Sequence, residues 1–232
     1  MDPSGGGINM FIPGMELSKK FYIEAVEPII NESFPSLKYT AGLIDYGSDV
    51  LGYDTEVSQD HQWGPRLSIF LSEEDLCVVG EKLDKVLSEK LPPTFCGFST
   101  NFSGTKEDYI RRMEYSESEK IKHIIRIHTL EEFFRQHLGI NIHEEINKES
   151  WLLFPQQRLL TIKKGQLFHD DLNANEIKQR LDYYPDDIWY YLMACEWNKI
   201  NAEEAFVGRC GDVNDDIGSC LIASRIIQSI MN

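Results

Sequence analysis

Positive charge is scarce in this chain. Lys and Arg number 23 against 38 Asp and Glu, a formal net charge of -15. A protein that neutralises many phosphates needs a basic stripe, and none is present, so nucleic acid is not expected as a partner. Such a field would instead attract a cationic small molecule. Long apolar runs are missing too. None approaches the roughly 18 residues of a membrane span, so no membrane partner is expected. The cysteines, Cys77, Cys96, Cys195, Cys210 and Cys220, are odd in number and lack C-x-x-C spacing. They read as buried, reduced thiols of a cytoplasmic protein. The opening MDPSGGGINMF has neither the basic region nor the apolar core of a signal peptide. Its Ser-Gly-Gly-Gly reads as a flexible leader.

What is there is ordinary globular material. The chain has 232 residues, 42% hydrophobic and 26% charged, enough for one sizeable core or two small ones. Leu17, Phe21, Tyr22, Ala25, Val26, Ile29 and Ile30 recur at helical spacing and predict an N-terminal amphipathic helix. Tyr39–Ile44 and Leu67–Leu71 read as neighbouring strands, the second opening after the Gly64-Pro65 break. Ser72 caps a helix with Leu76, Val79, Leu83, Val86 and Leu87 on one face, and Asp75 makes a near capping box. Thr94–Ser99 and Ile121–His128 read as strands, the residues between them as a loop or a short helix near Tyr109. Thr129–Leu138 reads as a helix stopped by Gly139.

The second half changes character. Trp151–Leu160 looks helical despite Pro155. Lys163-Lys164-Gly165 reads as a turn, and Asp170, in FHDDL, as a turn residue after a short strand. Pro185-Asp186-Asp187 opens a long helix with Ile188, Tyr191, Leu192 and Cys195 as its buried stripe. A last helix covers Asp216–Met231, ending on Ile226, Ile227 and Ile230 with no polar tail, as if an apolar face awaited a partner. The expected fold class is α+β, with an α/β domain at 11–145 and an all-helical domain, possibly truncated, at 146–232.

The stretch LIDYGSDVLGYDTEVSQDHQWGPRLSIFLS carries the candidate chemistry. A strand delivers Gly47-Ser48 to the start of a turn or short helix. Glycine lets the backbone approach a phosphate, and free N–H groups with the Ser48 hydroxyl can bind its oxygens. Asp60 stands at the entrance of the next strand, where a carboxylate can hold a divalent metal that bridges phosphates. Each residue also has a plainer role. Gly47-Ser48 can simply turn a strand into a helix, Asp60 can cap its own turn, and Arg66 can take a phosphate or pair with a local acid.

This layout resembles the nucleotidyltransferase fold of polymerase beta and the aminoglycoside nucleotidyltransferases, in which Gly-Ser or Gly-Gly precedes an Asp-x-Asp or Asp-x-Glu strand. More closely, GSDVLGYDTEVSQDHQWGPR, FPQQRLL, GQLFHDDL, YYPDDIWYYL and GRCGDVNDDIGS resemble an uncharacterised bacterial and archaeal family, catalogued as a domain of unknown function and placed in that superfamily. The likeness runs from about Phe11 to Met231. It implies a mixed sheet with helices followed by a helical domain. It also implies transfer of a nucleoside monophosphate from a nucleoside triphosphate to a hydroxyl of a small molecule or protein. Gly47, Ser48, Ser58 and Arg66 would bind the nucleotide. Asp60, the catalytic acid, would hold Mg²⁺ with Gln62.

The departures are specific. Gln62 stands where the superfamily places its second metal carboxylate, and an amide oxygen adds no negative charge. The strand candidate IKHIIRIHT offers Lys122, His123, Arg126 and His128 but no third acid; Asp54, or Glu144 and Glu145, could stand in, though their spacing does not show it. The alternative is therefore a non-catalytic nucleotide-binding or regulatory module with a degraded metal site. On the acceptor side, Arg209, Asp212 and Asp216 in GRCGDVNDDIGS either face the nucleotide or place acids at a helix start. Tyr183, Tyr184, Trp189, Tyr190 and Tyr191 are expected in an inter-helix core.

Overall fold

A computed structural model describes residues 11–60, 62–104, 111–115 and 120–231; the side chain of Asp60 lies outside that description. The leader expected at residues 1–10 and the loop or short helix near Tyr109 also lie outside it. The chain divides into two compact units. One comprises Met1–Ile146 with Phe154–Asp182, the other Asn147–Leu153 with Tyr183–Asn232.

The first unit is mixed α/β. Helix α1 (Gly14–Phe21) runs into a five-residue π turn (Tyr22–Val26) and on into α2 (Glu27–Ser33). Pro28 has no N–H to return to the preceding turn, and the helix widens just before it. Strand β1 (Thr40–Leu43) is followed by the single turn α3 (Ser48–Leu51) and a 3-10 turn (Glu56–Asp60). Then come β2 (Ser68–Phe70), α4 (Glu73–Lys90), a hairpin of β3 (Thr94–Phe95) and β4 (Phe98–Ser99), β5 (Arg126–His128) and α5 (Leu130–Leu138). The hairpin turns on Cys96 and Gly97, both at positive φ as a two-residue turn of this hand requires.

The main sheet has the order β5-β2-β1-β6. As expected, β1 and β2 are neighbours, antiparallel with Gly42 opposite Ser68. β5 lies parallel to β2 with Arg126 opposite Ser68. β6 (Gln166–Asp170) pairs antiparallel with β1 through a bulge at Ala41/Gly42. The sheet is packed on both faces. Ala41 and Ile69 join Phe21, Val26, Ile30, Leu83 and Leu87 in one core. Phe70, next along β2, points the other way and meets Phe133 of α5 edge-on at 5.4 Å.

Several expectations need correction. Trp151–Leu160 is two helices in two different units, α6 (Lys148–Leu153) and α7 (Gln156–Lys164), because Pro155 cannot continue the first and suits the start of the second. The strand expected over Ile121–His128 is three residues long. No cysteine is buried: Cys77, Cys96 and Cys220 are exposed, and Cys195 and Cys210 are partly so. Asp170 ends β6 rather than following it. Its carboxylate accepts from the Thr40 hydroxyl and from the Ala174 and Asn175 amides, which starts α8 (Ala174–Arg180).

In the second unit α6 accompanies a helical hairpin, α9 (Asp186–Asp212) and α10 (Asp216–Met231). The pair is antiparallel, with Arg225 on Glu203 at 2.9 Å and the Ser219 hydroxyl donating to the Val207 carbonyl at 2.9 Å. Much apolar surface stays outside. Tyr183, Tyr190 and Tyr191 are exposed rather than core, as are Ile227, Ile230 and Met231. No helix among the described residues is long and apolar enough to cross a membrane.

Candidate functional site

Register decides what meets at the end of the sheet. β1 delivers Asp45, Tyr46, Gly47 and Ser48 from its C-terminal end. Antiparallel β2 begins at that same end, so Arg66 and Leu67 enter there. Because β5 runs parallel to β2, its first residue, Arg126, is at that end as well. Around this point opens a cleft of about 610 Å³, large enough for a nucleotide-sized ligand, floored by Tyr46, Gln62, Arg66 and Arg126. Glu81 and Asp84 from α4 and Glu132 from α5 also line it, with Arg111, His123 and His128.

Two buried carboxylates organise the floor. Asp49 holds Arg66 through two bonds, Nη2 to Oδ1 at 2.7 Å and Nε to Oδ2 at 3.1 Å, while Nη2 also donates to the Tyr46 carbonyl at 2.5 Å. Burial alone would lower the Arg66 pKa; Asp49 beside it keeps it above the usual value. Asp45, 3% exposed, accepts from Arg126 Nη1 at 2.5 Å and from His137 Nε2 at 2.7 Å. Burial would push its pKa up, but the His137 bond and the Arg126 charge hold it below the usual carboxylate range. Arg126 Nη2 donates to the Tyr46 hydroxyl at 2.9 Å, and that hydroxyl donates to Gln62 Oε1 at 2.7 Å. Both guanidiniums lie against the Tyr46 ring, Arg66 at 5.2 Å and Arg126 at 4.8 Å from its centre. Beside them the His128 ring stacks on Phe70, and burial lowers its pKa to about 4.

The sequence-predicted residues divide accordingly. Gln62 and Arg66 line the cleft. Gly47 and Ser48 follow Tyr46 directly but do not line it. Gly47 has a steric reason to be glycine: at φ +126° a Cβ would stand 2.2 Å from Asp49 Oδ1 and 2.6 Å from Arg66 Nη2. Ser58 is spent locally, its hydroxyl accepting from the Thr55 amide at 3.1 Å. Asp60 closes the 3-10 turn, and β2 begins only at Ser68, so Asp60 belongs to the loop before the strand. Asp54, a possible substitute acid, is held by the Gly14 amide at 2.7 Å and Trp63 Nε1 at 3.0 Å. Arg209 and Asp212 lie inside α9, not in a segment before a helix, with Arg209 over the Phe206 ring; Asp216 opens α10, whose start is capped by Asp215 accepting from the Gly218 amide. All three belong to the second unit.

Sequence reasoning missed Asp45, Tyr46 and His137. The signal for Asp45 was available: an acid placed immediately after a wholly apolar strand end needs a buried partner.

The described residues, which leave out the Asp60 side chain, do not by themselves make a magnesium site. Among the described residues no three His, Cys, Asp or Glu side chains are grouped to hold a metal ion. Asp45, Asp49 and Asp54 are each committed to donors, and the Gln62 oxygen to Tyr46.

Residues 151–232 match a family model described as a domain of unknown function, DUF4037. The match covers the second unit from Trp151 onward, together with the 154–182 segment of the first. No curated protein and no solved structure matches the chain.

Proposed function

We propose that the first unit is a nucleotidyltransferase-like module that binds a nucleoside triphosphate in the cleft at the end of β1. The observation that carries this is the convergence of Tyr46, the entry to β2 at Arg66 and Leu67, and Arg126 on one cleft. The motif order in the sequence, Gly-Ser then a second strand, supports it. So does the Arg126 guanidinium, half exposed on this cleft, since arginine can take a phosphate on a free edge of its fork.

Of the two activities the resemblance leaves, binding is favoured over nucleotidyl transfer. Transfer by the superfamily's route wants several carboxylates for metal and for deprotonating the acceptor hydroxyl. Here Asp45 is held by Arg126 and the His137 ring, and Asp49 by Arg66. Thermal shift with each nucleoside triphosphate, with and without Mg²⁺, tests the reading. Stabilisation by at least one triphosphate supports the site, and none under either condition refutes it. Pyrophosphate release with a hydroxyl acceptor would restore the transfer activity.

A further inference from the structure

We infer that Arg126, and not a resident metal ion, is the counter-charge for the triphosphate in this cleft, so that nucleotide binding is independent of magnesium. The inference rests on the nucleotide reading above and adds to it the chemistry of recognition.

Three of the described arginines line the cleft; Arg111 donates to the Ser103, Lys122 and His123 carbonyls, and Arg66 and Arg126 are in different states. Arg66 is buried, and its fork is filled by Asp49 and the Tyr46 carbonyl. It is a fixture of the fold. The Arg126 side chain is 49% exposed and lines the cleft. One of its amino groups is pinned by Asp45 and the other by the Tyr46 hydroxyl, and its plane rests over the Tyr46 ring. A guanidinium has five N–H donors in a rigid fork. Two are used here, and the exposed remainder faces the cleft. Such a group is positioned before any ligand arrives, so little side-chain entropy is lost when a phosphate takes its free edge. Asp45, at the edge of the same cleft and only 4% exposed in its side chain, fixes Arg126 from below.

Gln62 fits the same scheme. Its amide oxygen accepts from the hydroxyl that also accepts from Arg126. Arg126 is already paired with Asp45, so a carboxylate at position 62 would add a second negative charge near it, through Tyr46, and repel a phosphate. An amide adds none. The loss of the superfamily's second acid and the presence of a preset arginine are then two parts of one change. Glu81, Asp84 and Glu132 in the lining repel phosphate oxygens but can accept from ribose hydroxyls, so a nucleoside triphosphate is favoured over bare triphosphate.

The test is calorimetric binding of ATP, GTP and inorganic triphosphate to the full chain, in EDTA and in excess Mg²⁺. Wild type should bind a nucleoside triphosphate in EDTA within about threefold of its affinity in Mg²⁺, and more tightly than inorganic triphosphate. Arg126→Gln should weaken it by at least about tenfold, and Arg126→Lys, which keeps charge but not the fork, by a smaller factor. Gln62→Asp should weaken binding in EDTA. Binding seen only with Mg²⁺ and undiminished in Arg126→Gln overturns the inference while leaving the nucleotide reading in place. No binding in either condition overturns both. If Arg126→Gln fails to fold, the Arg126→Lys and Gln62→Asp arms decide: unchanged affinity in EDTA for both overturns the inference.

Discussion

Asp45 and Arg126 meet at 2.5 Å across the end of the sheet although 81 residues separate them. The aspartate is buried while the arginine is half exposed, so the pair converts an interior anchor into a surface charge of fixed direction. His137, from α5, holds the other Asp45 oxygen at 2.7 Å and so ties three elements to one carboxylate. Asp45→Asn keeps the shape but removes the charge. It should lower stability by about 2 kcal/mol, since charge-assisted bonds contribute more than neutral ones. Urea denaturation measures this. A loss no larger than that of a surface substitution would show that the three groups do not depend on Asp45.

The Gly47 turn gives a sharper steric prediction. Gly47→Ala forces a Cβ onto the Asp49–Arg66 pair at a φ that side chains avoid. The expected cost is about 3 kcal/mol, from backbone strain plus displacement of a buried ion pair. Gly52 is the control. It too has positive φ, +76°, but a Cβ there meets nothing within 4 Å. Gly52→Ala should cost only about 1 kcal/mol. Equal melting temperatures for the two variants would mean that the ion pair tolerates the intrusion and that Gly47 is not required by it.

Stability should depend on pH through His128. Burial lowers its pKa to about 4, against about 6.5 for an unhindered ring. The folded state therefore resists protonation that the unfolded chain accepts. The sign follows: the stabilising effect of a neutral His128 is complete above pH 6.5 and declines as pH falls toward 4, by about 3 kcal/mol at the low end. Asp45, held below the usual carboxylate range, acts in a lower window and loses its effect only as pH falls past the ordinary carboxylate value. His128→Phe, which keeps the stack on Phe70, should flatten the slope between pH 6.5 and 4. Denaturant midpoints at several pH values measure it, and an unchanged slope would assign the dependence elsewhere.

Local chemistry was readable from the sequence, and distant pairing was not. Helix α5 runs from its Thr129 cap, which accepts from the Glu132 amide at 3.0 Å, to Gly139 at φ +70°, because both signals are carried by the residues themselves. The N-terminal stripe and the β1–β2 neighbourhood are likewise local. The Asp45–Arg126–His137 group leaves no periodic trace, since only the sheet order brings its members together. The GRCGDVNDDIGS segment was expected just before a helix, yet Gly208 and Gly211 lie inside α9. Each costs roughly 1 kcal/mol in a helix interior, and packing along α10 outweighs that. A Cβ at either would meet nothing, so neither is there for close approach. The DUF4037 match adds a family likeness over residues 151–232 but says nothing of the cleft, whose residues lie before it.

The last prediction concerns Gln62 and Asp60 together. If Arg126 supplies the charge, wild type should show no measurable Mg²⁺ binding by itself, because Mg²⁺ dehydrates reluctantly and Asp45 and Asp49 are committed to donors. Gln62→Asp should introduce the missing acid and, with Asp60, create a magnesium requirement: weaker nucleotide binding in EDTA, recovered when Mg²⁺ is added. Asp60→Asn alone should leave metal-free binding intact, since in this scheme Asp60 touches no phosphate. Asp60→Asn in the Gln62→Asp background should abolish the recovery. Titration of Mg²⁺ and of nucleoside triphosphate into all four proteins separates these outcomes. The scheme fails if Asp60→Asn alone removes nucleotide binding, for then a metal on Asp60 is already part of the wild-type site and Arg126 is not its substitute.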